Sequence, residues 1–209
     1  MKQAAVIGAG ISGLAAALRL ASEGFFVTVF EKNRTFGGKA GEIKLSGFRF
    51  DTGPSLITMR FVIDEILSLY PGKVPEYIVP DKICRYYYGN GIKADMPSGI
   101  DDFAEEAGRQ TDENPANITK YLMYSKKIYD LTADIFLFNE FTFRKLIKIN
   151  PILWLKILSI DPFRNMNRAI KDYIKSEKLQ MIFNRYATYN GSNPYLAPAT
   201  LNIISWVEN

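Results

Sequence analysis

Ala5-Val-Ile-Gly-Ala-Gly-Ile-Ser-Gly-Leu14, followed by an acid at Glu31 and a glycine pair at Gly37-Gly38, decides the fold of this chain. Ala4 to Ile7 is a short apolar run suited to a buried parallel strand. Gly8 allows a tight turn out of that strand, Gly10 lets backbone approach a pyrophosphate, and Gly13 lets the next helix pack closely. The helix start, with Ser12 in it, turns free N–H groups and a positive end toward the same space. Leu14 to Ala21 is rich in alanine and leucine, and Gly24 ends it. Phe26-Val-Thr-Val-Phe30 is the second strand, and Glu31 stands at its C-terminal end, where an acid accepts from ribose hydroxyls. Glycines also gather in ordinary turns. Here strand, turn, helix, strand and acid fall in the order a dinucleotide site needs, and the Glu31 carboxylate disfavours a 2′-phosphate.

Composition narrows the class. At 209 residues and 47% hydrophobic content the chain can bury a core. A net charge of +4, without any dense Lys/Arg arm, gives no reason to expect nucleic acid as a partner. A single cysteine, Cys84, excludes an internal disulfide framework and fits a reducing cytoplasm. The absence of histidine removes His-based metal sites and Ser-His triads, so no metal is expected. Met1 runs almost directly into the first strand, which we read as leaving no room for a signal peptide. No apolar run is long enough for a transmembrane helix.

Beyond the nucleotide unit, Glu42 to Asp51 alternates around Ser46-Gly47 and predicts a β-hairpin. Met59 to Tyr70 reads as a helix offering Phe61, Ile63, Ile66, Leu67 and Tyr70 for burial. Cys84 to Ala94 predicts a second hairpin turning at Asn90-Gly91. Pro97-Ser-Gly99 opens a helical remainder, and Asn114-Pro115 is a strong start signal for a helix running to about Phe138. Shorter helices are expected near 141–160, 164–175 and 177–187. The expected fold class is therefore α/β: a Rossmann-like βαβ unit with β-hairpins over 1–60, then a mixed and mainly helical region over 61–209. Two strands around one helix leave a sheet edge uncovered, so the reading expects a C-terminal half of the same protein to complete the sheet.

Arg34-Thr-Phe-Gly-Gly-Lys39, read with the first fingerprint, resembles the FAD-binding family of amine oxidases, protoporphyrinogen oxidase and carotenoid desaturases. Lys39 stands where that family usually has Arg, keeping the charge and losing the planar fork. Gly47-Phe-Arg-Phe-Asp-Thr-Gly-Pro-Ser55 looks like the near-flavin segment of carotenoid desaturases. Phe183 to Ala199 is similar to a segment of bacterial phytoene desaturases and 1-hydroxycarotenoid 3,4-desaturases. The resemblance implies FAD as cofactor, held by Gly8, Gly10, Ser12, Gly13, Glu31, Gly37, Gly38, Lys39, Gly53 and Pro54. It also implies a lipophilic carotenoid substrate that loses a hydride to the flavin. No side chain stands out as nucleophile or general base, so catalytic residues are not assigned. Lys39 and Arg185 are cations that could face the flavin, with surface or pairing roles as the plain alternative.

The stretch from Ile135 to Ile160 joins Phe136, Phe138, Phe141, Phe143 and Trp154 to Arg144, Lys145, Lys148 and Lys156. That composition suits either a pair of amphipathic core helices or peripheral contact with an anionic membrane on the cytoplasmic side. Two competing functions remain: an amine oxidase-type flavoenzyme acting on a soluble substrate, and a non-catalytic module that keeps the fold without the cofactor.

Overall fold

A computed structural model describes residues 1–54, 57–89, 91, 93–133 and 159–208. They divide into two compact units, Met1–Tyr77 and Ile78–Asn209.

The first unit is the βαβ element with additions. Strand β1 (Gln3–Ile7) pairs in parallel with β2 (Phe26–Phe30), in a register running from Gln3 opposite Phe26 to Ile7 opposite Phe30. Helix α1 (Ile11–Ser22) makes the crossover. It starts three residues before the alanine-rich run, because Gly10 supplies an extended N-cap and Ile11 and Ser12 already take helical geometry. Its end is as read: Gly24 has φ +83° and its N–H donates to Ala21 C=O at 3.0 Å.

Strands β3 (Glu42–Leu45) and β4 (Phe48–Asp51) form the expected hairpin, with Ser46 and Gly47 both at positive φ in its two-residue turn. Helix α2 (Arg60–Leu67) is shorter than read, and a turn with Tyr70 N–H donating to Leu67 C=O continues it. Its burial expectation needs correcting: Ile63, Ile66 and Leu67 are half-buried, but Phe61 and Tyr70 are exposed.

The second unit carries the core. Strands β5 (Cys84–Tyr87) and β6 (Lys93–Met96) pair antiparallel. The hairpin expected to turn at Asn90-Gly91 is present, although Asn90 itself lies outside the described residues. Helix α3 (Ile100–Thr111) follows Gly99, and α4 (Pro115–Thr132) begins as read, with Asn114 Oδ1 accepting from Ala116 N–H at 2.9 Å. The extension of α4 to Phe138, the helices placed at 141–160 and the basic-aromatic stretch fall almost wholly on 134–158, outside the described residues. Helices α5 (Met166–Tyr173) and α6 (Glu177–Arg185) match the later expectations. Two 3₁₀ turns, Tyr186–Asn190 and Ala199–Asn202, and a last helix α7 (Ile203–Glu208) were not read in the sequence.

Side chains from five of these helices and β6 close one apolar core. Phe103, Ile118, Tyr121, Leu122, Ile170, Ile182 and Phe183 are fully buried within it. Tyr121 and Phe183 have ring centroids 4.4 Å apart. The Tyr121 hydroxyl donates to Asn202 Oδ1 at 2.8 Å and also meets Ser205 Oγ at 2.9 Å, so the buried phenol is satisfied by residues near the chain's end. Glu113 knots the helices together. Its buried carboxylate accepts from Asn117 Nδ2 and from the N–H groups of Asn114, Lys175 and Ser176. Burial alone would push its pKa up, yet these donors together hold it below the ordinary Glu value.

Candidate functional site

Three loops of the first unit meet at the C-terminal ends of β1 and β2. Strand β1 runs into Gly8, whose N–H donates to Phe30 C=O at 2.7 Å and whose φ of +98° turns the chain toward α1. Gly13 then packs against that turn. A Cβ there would lie 1.9 Å from Gly8 C=O oxygen, so glycine is demanded by the protein's own backbone.

Gly10 differs. A Cβ at Gly10 would meet only Gly38 Cα at 3.9 Å, an ordinary contact, and its φ of −75° suits any residue. Nothing among the described residues requires glycine at that position. Gly10 leaves open space at the start of α1, where no side chain caps the helix and Ser12 is exposed.

The glycine pair comes to the same place. Gly37 N–H donates to Ala9 C=O at 2.7 Å and Gly37 bridges to Gly10 in a short parallel pairing. A Cβ at Gly38 would stand 3.1 Å from Gly10 Cα. Two motifs that are separate in sequence thus form one surface of close backbone.

Glu31 closes it from the end of β2. Oε2 accepts from Ala9 N–H at 2.7 Å, and Oε1 accepts from Asn33 N–H at 2.9 Å and from Asn33 Nδ2 at 2.8 Å. These donors, Ala9 first, lower its pKa, so the group is an anion at neutral pH. The partners Ala9 and Asn33 were missed in the sequence. An amide side chain two residues after an acid was the available signal, because such a residue can fold back onto it.

The third segment follows. Thr52 N–H donates to Gly41 C=O at 2.9 Å, and a Cβ at Gly53 would fall 1.7 Å from Lys39 C=O oxygen, so Gly53 seats the end of the hairpin against the residue after the glycine pair. Lys39 itself is exposed. Pro54 lines a cavity of about 500 Å³ with Phe36, Gly41, Arg49, Asp51 and Ile57. The structure therefore gathers Gly8, Gly10, Ser12, Gly13, Glu31, Gly37 and Gly38 around the α1 start and sets Lys39, Gly53 and Pro54 just beyond. Ser55 lies outside the described residues.

Arg185, the other cation singled out, has its own surroundings. It belongs to the second unit, with its guanidinium 5.5 Å from the Tyr86 ring and 4.8 Å from the Tyr186 ring. Among the described residues no group of acids and cysteines has the arrangement of a metal site.

The donor set fits a dinucleotide. An uncapped helix start suits a pyrophosphate, close glycine backbone leaves room for it, and a fixed carboxylate with an acceptor position to spare suits a ribose hydroxyl. Residues 6–64 match the NAD(P)-binding Rossmann-like domain. Across its whole length the chain is 39% identical to 1-hydroxycarotenoid 3,4-desaturase of Flavobacterium sp. (strain P99-3), covering 43% of that protein. It is 32% identical to hydroxyneurosporene desaturase of Rubrivivax gelatinosus, with 97% of this chain and 40% of that one matched. It is likewise 32% identical to 4,4′-diapolycopene oxygenase of Methylomonas sp., over 97% of this chain and 41% of that one. The chain thus spans about two fifths of the length of these relatives. Among solved structures, a cofactor-binding redesign of putrescine oxidase matches with a TM-score of 0.57 at 18% identity, over 99% of this chain and 42% of that one, a likeness of fold.

Proposed function

We propose that this chain, which resembles the N-terminal portion of the carotenoid desaturases from end to end, is the FAD-binding and substrate-facing part of a desaturase acting on a carotenoid or related isoprenoid chain. The observation that carries the reading is the extent of the similarity. It runs through the helical second unit as well as the nucleotide unit, and a generic dinucleotide domain would match only the first. More than half of each relative lies beyond the matched region, and we assign to the corresponding part of this protein the completion of the sheet and of the flavin site.

Bound FAD would supply the hydride acceptor for removal of two hydrogens from adjacent carbons. The roles of this chain's residues are to bind and orient. The α1 start and Gly10 would take the pyrophosphate, Glu31 a ribose hydroxyl, and Lys39 would bring positive charge beside the glycine pair. The apolar helices from about residue 115 onward would form part of a hydrophobic substrate channel. Among the described residues no helix is long and apolar enough to cross a membrane. A lipophilic substrate and the basic-aromatic composition of 135–160 support a cytoplasmic protein in peripheral contact with the membrane surface. An amine oxidase-type activity on a soluble substrate has the fold likeness alone behind it.

The test joins this chain to the part of the Flavobacterium enzyme that lies beyond the match and expresses the chimera in a bacterium that makes hydroxylated carotenoids. We expect a yellow protein with flavin absorbance and pigments whose absorption moves to the red as double bonds are added. Flavin without any pigment change, together with oxidation of a soluble amine, would favour the amine oxidase reading. A colourless, folded protein would leave a non-catalytic module.

A further inference from the structure

Asn33 places its backbone N–H and its side-chain amide on one oxygen. Its backbone N–H and its Nδ2 reach Glu31 Oε1 at 2.9 and 2.8 Å, while Ala9 N–H holds Oε2 at 2.7 Å. A carboxylate offers about four acceptor positions, two on each oxygen. Oε1 therefore carries two donors and Oε2 one, beside the Ala9–Gly10 peptide, and the Lys32 N–H also acts on the carboxylate. Without Nδ2 the carboxylate would lose one of the donors that hold it against turning about its last torsion, which is broad for a terminal sp³–sp² bond.

The geometry points to Asn33 as a positioning residue for the nucleotide: its side-chain amide holds Oε1 and so fixes the direction in which Oε2 meets a ribose hydroxyl of an adenosine dinucleotide. This rests on the dinucleotide reading of the site. Asn33 is exposed and packs against no core, so its removal leaves the fold in place and changes the aim of Glu31. A carboxylate at position 33 would do worse than an alanine, since it would set like charges against each other at Oε1.

The experiment titrates FAD, with ADP as competitor, into the chimera with the Flavobacterium enzyme and into its Asn33→Ala, Asn33→Asp, Glu31→Ala and Asn33→Ala/Glu31→Ala variants. In parallel the Glu31 carboxyl is titrated by carbon NMR without any ligand. We expect Asn33→Ala to weaken FAD about fivefold, the worth of one hydrogen bond, and Asn33→Asp to weaken it further. The double variant should bind as Glu31→Ala alone does, because Asn33 acts only through Glu31. The Glu31 midpoint should rise in Asn33→Ala. Wild-type binding with an unmoved Asn33→Ala, a double variant whose losses multiply, or an unmoved Glu31 midpoint would each overturn the role of Asn33. A folded wild-type chimera that takes up neither FAD nor ADP would sink the dinucleotide reading, and this role with it.

Discussion

The two units bury their apolar residues in opposite ways. In Met1–Tyr77 only Ala9 and Ala17 are buried among the described residues, while Ile7 (90%), Phe36 (78%), Phe48 (68%) and Phe26 (59%) are largely exposed. In Ile78–Asn209 the twelve largest fully buried side chains of the described structure are gathered, from Tyr121 and Phe103 to Ile182. The first unit is shaped by backbone: glycines fitted against carbonyls, a parallel strand pair and a carboxylate tied to peptide N–H groups. The second is shaped by side-chain packing. A nucleotide site thus has its local geometry written into short-range backbone constraints, before the apolar faces around it are covered.

The strongest way to break this contrast is to attack a glycine of the first unit. Gly13→Val would drive a side chain into Gly8 C=O, a backbone atom that cannot move aside, and should cost about 5 kcal/mol. Both tryptophans, Trp154 and Trp206, belong to the second unit, so their fluorescence reports that unit alone. The Trp transition in urea should stay in place while amide protection in β1 and β2 is lost. Loss of both together would show that the two units share one energetic fate. Gly10→Ala sharpens the point. With no internal clash it should cost about 1 kcal/mol or less of stability, yet weaken FAD about a hundredfold or more.

The reverse experiment strikes the second unit. Phe183 is fully buried and packs its ring on those of Phe103 and Tyr121, so Phe183→Ala should cost about 4 kcal/mol. The Trp transition should move to lower urea while protection of β1 and β2 is unchanged. An unmoved Trp transition would mean that this core does not carry the unit's stability.

The same contrast explains what the sequence could reveal. Strand β2, the Ser46-Gly47 hairpin and the Asn114 cap were legible because each is fixed by residues within one or two positions of it. The glycines and Glu31 were legible as types at a spacing. Their meeting was not: the contact of Gly38 with Gly10 and the bonds from Ala9 and Asn33 to Glu31 depend on where two loops end up in space. In the second unit, no side chain caps the start of Tyr186–Asn190 or of Ala199–Asn202. Their geometry follows from packing around Tyr121 and Phe183, partners more than sixty residues away from some of them. Phe61 and Tyr70 failed as burial expectations because a helical period names a face and says nothing of what covers it.

A smaller effect tests whether the second unit also leans on backbone donors. Glu113→Gln would leave peptide N–H groups of Lys175 and Ser176 facing a weaker, neutral acceptor and should cost about 2 kcal/mol at pH 7. The folded pKa of Glu113 lies below its ordinary value, so its contribution is complete above pH 4.5 and fades as pH falls through the folded pKa. The gap between wild type and variant, measured by urea denaturation followed at Trp, should therefore narrow on acidification below pH 4.5. A gap constant down to pH 2 would mean that the ionised carboxylate does not matter.

The smallest effect belongs to the surface of the first unit. Arg19 on α1 and Glu65 on α2 form an ion pair at 2.5 Å, with side chains 53% and 64% exposed. It joins elements 46 residues apart and looks like a clasp in a unit with almost no core. Energetics argue otherwise. Both groups are well solvated, ordering two long side chains costs entropy, and salt screens the attraction, so the pair should contribute about 0.5 kcal/mol or less. Glu65→Gln should accordingly leave hydrogen-exchange protection of α1 unchanged within error at 0.15 M salt, roughly physiological ionic strength. If protection of α1 fell by tenfold or so, about 1.4 kcal/mol, the first unit would be held by its surface charges as well as by its glycine backbone, and the contrast with the second would rest on more than burial.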